Sequence, residues 1–236
     1  MSAARVEVER GGVVESVHRF HVAVAGEDGR LVQGAGDVGL LTFARSAIKA
    51  IQAMPLVEDG VVERYGLTEA ELALCCASHA GEPFHVEAAR SILAKIGADE
   101  DALACGPQRP THRPSADAIL REGGEYGRIH NNCSGKHAGM LALARAHGWP
   151  LEGYHTADHP VQQRMRSEAS WWTGIAPGQM ATGIDGCGVL TFQVPLHALA
   201  SAFARLARGA WTGERGPAEI FAAMARHPEY VAGTDR

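Results

Sequence analysis

Residues 130–139 read HNNCSGKHAG and gather a thiol, an amine and two imidazoles among small residues and two amides. From Gly135 the stretch runs on into GKHAGMLALARAHG (135–148), an apolar helical pattern stopped by Gly148. Cys133 and Lys136 are therefore three residues apart at a helix start, where thiol pKa values fall, and Cys133 is a candidate thiolate. GIDGCG (183–188) sets Cys187 between glycines in a turn. Two thiolates and one nitrogen suit Zn²⁺ and leave one position open. The natural nitrogen is His137 or His130, because a lysine must first lose its proton. A Cys133–His137 thiol nucleophile pair is the neighbouring alternative.

Two further clusters carry chemistry. RSAIKA (45–50) holds Ser46 and Lys49 three apart, so that on a helix the amine reaches the hydroxyl. A neutral lysine can take the proton that keeps serine a poor nucleophile, the device of serine β-lactamases and penicillin-binding proteins. ASHAGE (77–82) offers Ser78 and His79 as a second hydroxyl and base, although Ser and Gly are also ordinary helix-end residues.

The rest of the chain frames these clusters. VVESVHRFHVAVAG (13–26) and GEDGRLVQGAGD (26–37), with an Asp28-Gly29 turn signal, predict strands. Ile48, Ile51, Met54 and Leu56 predict a helix that Pro55 kinks or ends. Thr68 and Glu71 form a capping-box pattern, residues 82–97 an amphipathic helix closed by Gly97, and residues 115–124 a short helix. Pro160 opens another helix, residues 181–194 read strand–turn–strand, and helices follow at 195–209 and 217–227. Residues 227–236, HPEYVAGTDR, read as polar and unstructured. Strands, then helices, then strands and helices again predict α+β with an antiparallel sheet, folded as one domain over residues 1–236.

Composition excludes several classes. The 236 residues are 46% hydrophobic and 21% charged, which is ordinary for a globular protein. A net charge of -5 without a basic block argues against nucleic acid. No run approaches a membrane span, and the polar opening MSAARVEVERGG predicts no secretory leader. Five cysteines, an odd number, read as reduced thiols of the cytoplasm.

Taken in order, RSAIKAIQAMPL (45–56), ASHAGEPFHV (77–86), CGPQRPTHRPS (105–115), HNNCSGKHAGML (130–141), DHPVQ (158–162) and GIDGCG (183–188) resemble the Rhizobium-type, asparaginase II-like L-asparaginases. The resemblance implies a serine β-lactamase-like fold, an antiparallel sheet flanked by helices. It implies hydrolysis of L-asparagine to L-aspartate and ammonia by a homodimer. By its pattern Ser46, Lys49 and Ser78 are catalytic; Cys133, Lys136 and Cys187 hold Zn²⁺ with water as fourth ligand; Arg45 and Asp185 border the substrate, with His137 and Asn132 beside them. Ala47 and Ala50 replace a Ser and a Pro usual in the first motif, at positions with no chemical task. Members also run on past residue 236 into a segment with a lysine that partners the second serine. The expectation is thus a C-terminally shortened asparaginase, with a non-catalytic zinc-binding homologue as the alternative.

Overall fold

A computed structural model describes residues 4–234. The Val-rich start forms two hairpins, β1 (Ala4–Arg10) with β2 (Val13–Phe20) and β3 (Val22–Ala25) with β4 (Leu31–Ala35). Both are antiparallel, and each carries one register shift. A third antiparallel sheet has the order β5 (Leu41–Phe43), β7 (Leu190–Pro195), β6 (Thr182–Ile184). It joins the chain's early strands to the GIDGCG turn, which lies between β6 and β7. The chain is α+β, with its described strands spread over three short sheets.

Helices fill the interval. α1 (Lys49–Glu58) continues through Pro55, so of the expected kink or stop the stop does not occur. Proline removes one N–H but is tolerated where packing holds the flanking turns, and every residue from Lys49 to Val57 is buried. α2 (Val61–Tyr65) leads to α3 (Glu69–Cys75), whose Thr68–Glu71 capping box is formed as expected. α4 (Pro83–Lys95) and α5 (Arg113–Arg121) follow.

α6 (Ser134–His147) is the axis of the molecule. Its residues from Ser134 to Ala144 are all buried, as a helix apolar on every side must be. α1, α3, α4 and α7 pack on it. Small residues allow this: a Cβ on Gly135 would stand 2.7 Å from the Leu74 carbonyl oxygen, and one on Gly139 2.9 Å from Cys75 Sγ. α6 ends where Gly148 turns left-handed (φ 70°), as the sequence predicts.

α7 (Pro160–Thr173), α8 (Leu196–Thr212) and α9 (Arg215–Arg226) complete the shell. The expected unstructured tail instead holds α10 (Pro228–Ala232). Thr234 is tied back to Glu82 through its N–H at 2.9 Å and its hydroxyl at 2.7 Å, and local polarity could not foretell these tertiary bonds. Most of the buried apolar side chains form one contiguous cluster. No helix among the described residues is long and apolar enough to cross a membrane.

Candidate active site

The site begins where β5 ends. Arg45 is the one non-glycine described with positive φ (46°), a conformation that costs a side-chain-bearing residue about 1–2 kcal/mol. Its N–H donates to Thr191 Oγ1 on β7 at 3.2 Å, which holds the bend. The chain then makes a single 3₁₀ turn, Arg45–Ile48, before α1. The bend leaves Ser46 exposed and Lys49 only 1% exposed.

Lys49 Nζ has three partners: Ala77 O at 2.7 Å, Ser78 Oγ at 2.5 Å and Cys133 Sγ at 3.1 Å. Ser78 Oγ in turn lies 2.9 Å from Ser46 Oγ. The direct Ser46–Lys49 contact expected from the three-residue spacing is not among the described hydrogen bonds. Ser78, delivered by the loop after α3, stands between them.

Proton arithmetic gives this chain two states. A protonated Lys49 has three N–H donors for its three partners, and Ser78 then donates to Ser46. A neutral Lys49 keeps two donors and gains a lone pair, so both hydroxyls can turn and pass protons from Ser46 through Ser78 to Nζ. Burial lowers the Lys49 pKa, Cys133 opposes the shift, and Lys136 adds to it; the net shift is downward.

Below lies the thiol pair. Cys133, the residue before α6, and Cys187 hydrogen-bond through their sulfurs, and Lys136 Nζ is 3.1 Å from Cys187 Sγ. The two sulfurs act on each other, so the Cys133 thiolate expected at the helix start is set by Cys187 as well as by the helix. The bond to Cys187, then burial, raises Cys133, while the same bond holds Cys187 far below the usual thiol range. Cys187 is thus the more acidic sulfur of the pair. All five cysteines are free and buried.

Of the two candidate imidazoles, His137 joins this cluster and His130 does not. His137 is fully buried and interacts with Cys187, whereas His130 accepts from Gly127 N–H and has Arg90 and Glu100 as its charged neighbours. Burial lowers the His137 pKa, so the ring is neutral. His79 is no base for Ser78: its Nε2 bonds Ser134 Oγ (3.0 Å) and its Nδ1 accepts Gly81 N–H.

At the mouth, Arg45 Nε and Nη2 donate to Asp185 Oδ1 at 3.1 and 2.9 Å. The Arg45 side chain is 65% exposed, so several of its five N–H donors remain available. Asn132 is fixed by its backbone, its C=O accepting from His79 N–H at 3.0 Å and its N–H donating to Gln108 Oε1. Thr191 and Tyr154 are the site residues that sequence reading missed. Neither sits in a chemical motif, and only DHPVQ, four residues beyond Tyr154, marked that region.

Among the described residues no group of three or more His, Cys, Asp or Glu is arranged to hold a metal. The cluster around Cys133 and Cys187 has lysine as its third donor, a type outside that set. Two soft sulfurs nevertheless suit Zn²⁺, and the adjacent Lys136 amine would be a nitrogen donor once it had lost its proton. The model of the family described as L-asparaginase II matches residues 6–236. No curated protein matches the chain.

Proposed function

The chain belongs to the L-asparaginase II family, and on that premise we propose that it hydrolyses L-asparagine to L-aspartate and ammonia through an acyl-serine at Ser46. The observation that carries this reading is the unbroken path Ser46–Ser78–Lys49, from an exposed hydroxyl to a buried amine. Neutral Lys49 draws the Ser78 proton as Ser78 draws that of Ser46, and the freed oxygen attacks the side-chain amide carbon. The Lys49 ammonium then returns its proton along the same path to the leaving amine, and ammonia departs. Water attacks the aspartyl ester, gives its proton to the relay, and L-aspartate leaves with Ser46 restored.

Arg45 and Asp185 supply complementary charges for the α-carboxylate and α-ammonium of a free amino acid. Glutamine, one methylene longer, would carry its amide past Ser46 and so be disfavoured. Asn132 borders the same mouth.

Cys133, Cys187 and Lys136 would hold Zn²⁺. Bound there, the ion supplies positive charge beside the relay and fixes the GIDGCG turn to the start of α6. We extend the proposal to a serine β-lactamase-like arrangement, supported by a Ser-x-x-Lys turn entering a buried helix beside antiparallel strands. The reading also takes the protein as a cytoplasmic homodimer, the first part supported by its free thiols.

The deciding experiment measures ammonia release from L-asparagine by the purified chain and by Ser46→Ala. Activity in the first and none in a folded second is expected. Equal turnover would remove Ser46 as the nucleophile. A zinc-containing protein that releases no ammonia would instead favour a non-catalytic relative.

A further inference from the structure

The DHPVQ segment (158–162) has no part in the chemistry above, yet it clamps one loop. His159 Nε2 bonds Pro150 O at 2.9 Å while its Nδ1 accepts Val161 N–H. Gln162, fully buried, donates to the Tyr154 carbonyl at 3.0 Å. Between these two staples Tyr154 enters the core, 1% exposed, and its hydroxyl comes 2.5 Å from His137 Nδ1.

That hydroxyl settles where the imidazole carries its proton. Tyr154 Oη already accepts the Ala104 N–H at 2.9 Å. Among the described residues its own hydrogen has one acceptor to go to, His137 Nδ1. If Nδ1 bore the proton, the buried Tyr154 O–H would be left with no acceptor, which buried hydroxyls avoid. A neutral ring with Nδ1 accepting carries its hydrogen on Nε2. Nε2 is buried with no hydrogen-bond partner among the described residues, and Cys187 and Lys136 are charged neighbours of the ring.

We infer that DHPVQ, acting through Tyr154, holds His137 as the Nε2–H tautomer, whose one lone pair is taken by the Tyr154 hydroxyl, so that the ring is not a metal ligand. Tyr154 is the positioning residue for the His137 ring. The arrangement concerns where one proton sits and requires no gain or loss of charge by His137. It also explains why a cluster containing an imidazole would turn to lysine for its nitrogen: the lone pair a metal needs is on the wrong side of the ring, facing Tyr154. This inference rests on the metal reading only for its consequence; the tautomer stands without it.

The test is a long-range ¹H–¹⁵N correlation spectrum of histidine-labelled protein, recorded metal-free and after adding Zn²⁺, with His137→Gln identifying the signal. Nε2 in the protonated, pyrrole-type range and Nδ1 in the unprotonated, pyridine-type range is expected in both samples. The reverse assignment, or an Nε2 that loses its proton on zinc addition, overturns the inference. Tyr154→Phe should give averaged shifts as the tautomers mix, and unchanged shifts would remove Tyr154 from the mechanism. Zinc affinity, measured against a chromophoric chelator, should fall about 10–100-fold in His137→Ala. It should recover in His137→Gln, which fills the buried space without an imidazole lone pair; a glutamine variant as weak as the alanine one would make the ring a ligand and counts against the inference. If the wild-type chain binds no zinc, the metal reading fails while the spectrum still decides the tautomer.

Discussion

Ser78 Oγ stands 2.5 Å from Lys49 Nζ and 2.9 Å from Ser46 Oγ, so the second serine is the bridge between the first and its base. Ser78→Ala should leave asparagine binding intact and lower kcat by about 10²–10⁴, the usual worth of a positioned proton-transfer group. Steady-state ammonia release checks this. A variant with unaltered kcat would mean that Lys49 reaches Ser46 without the bridge.

The left-handed backbone at Arg45 separates two roles in one residue. Arg45→Ala and Arg45→Gly both remove the guanidinium, and both should raise KM for asparagine. Only glycine relieves the φ of 46°. The glycine variant should therefore be the more stable by about 0.5–1 kcal/mol, after allowing for glycine's greater freedom in the unfolded chain. Urea denaturation of the pair measures the difference, and equal stabilities would show that the bend stores no strain.

Gly135→Ala should be destabilising even though alanine is the better helix former by about 1 kcal/mol. The added Cβ would lie 2.5 Å from Leu74 Cγ and 2.7 Å from the Leu74 carbonyl oxygen, and a backbone atom cannot step aside as a side chain can. Overpacking of this kind costs about 1–3 kcal/mol. Because α6 carries Lys136, the variant should also lose zinc affinity. A urea midpoint at or above that of the wild type would contradict the close α3–α6 approach.

Glu71 predicts a pH-dependent share of stability. Burial pushes its pKa up, but Lys95 at 2.6 Å, Ser91 and the Thr68 N–H outweigh burial and bring it below the ordinary carboxylate value. A depressed folded pKa contributes stability that is complete above the unfolded value and fades as pH falls through the folded one. Between about pH 6 and pH 3 the wild type should thus lose more stability than Glu71→Gln, which starts lower by about 1 kcal/mol through the weakened capping box. Parallel stability–pH curves for the two proteins would remove Glu71 from the acid response.

Cys187→Ser should abolish the more acidic sulfur of the thiol pair and sharply reduce bound zinc, whereas Cys105→Ser should not. Elemental analysis of the purified variants decides between them. Cys105 is buried and donates to Arg128 O, outside the described hydrogen bonds of the cluster.

How far the sequence reaches can be judged from particular residues. The capping box at Thr68, the entry of α7 at Pro160 and the stop of α6 at Gly148 were legible because each is decided within one helical turn. The family was legible because its motifs keep their order. Pro55 and the tail misled, since buried packing along α1 and the bonds from Thr234 to Glu82 depend on distant partners.

The sequence by itself determined which chemical groups the candidate site owns: Ser46 and Ser78, Lys49 and Lys136, Cys133 and Cys187, and the helices that carry them. Only the tertiary structure decided which group touches which. It put Ser78 between Ser46 and Lys49, brought Cys187 to Cys133, and set Tyr154 against His137. The physical reason is that hydrogen-bond partners and ionisation depend on burial and on atoms brought together from distant parts of the chain, 84 positions apart for Lys49 and Cys133 and 146 for Arg45 and Thr191. Spacing along the chain records none of that.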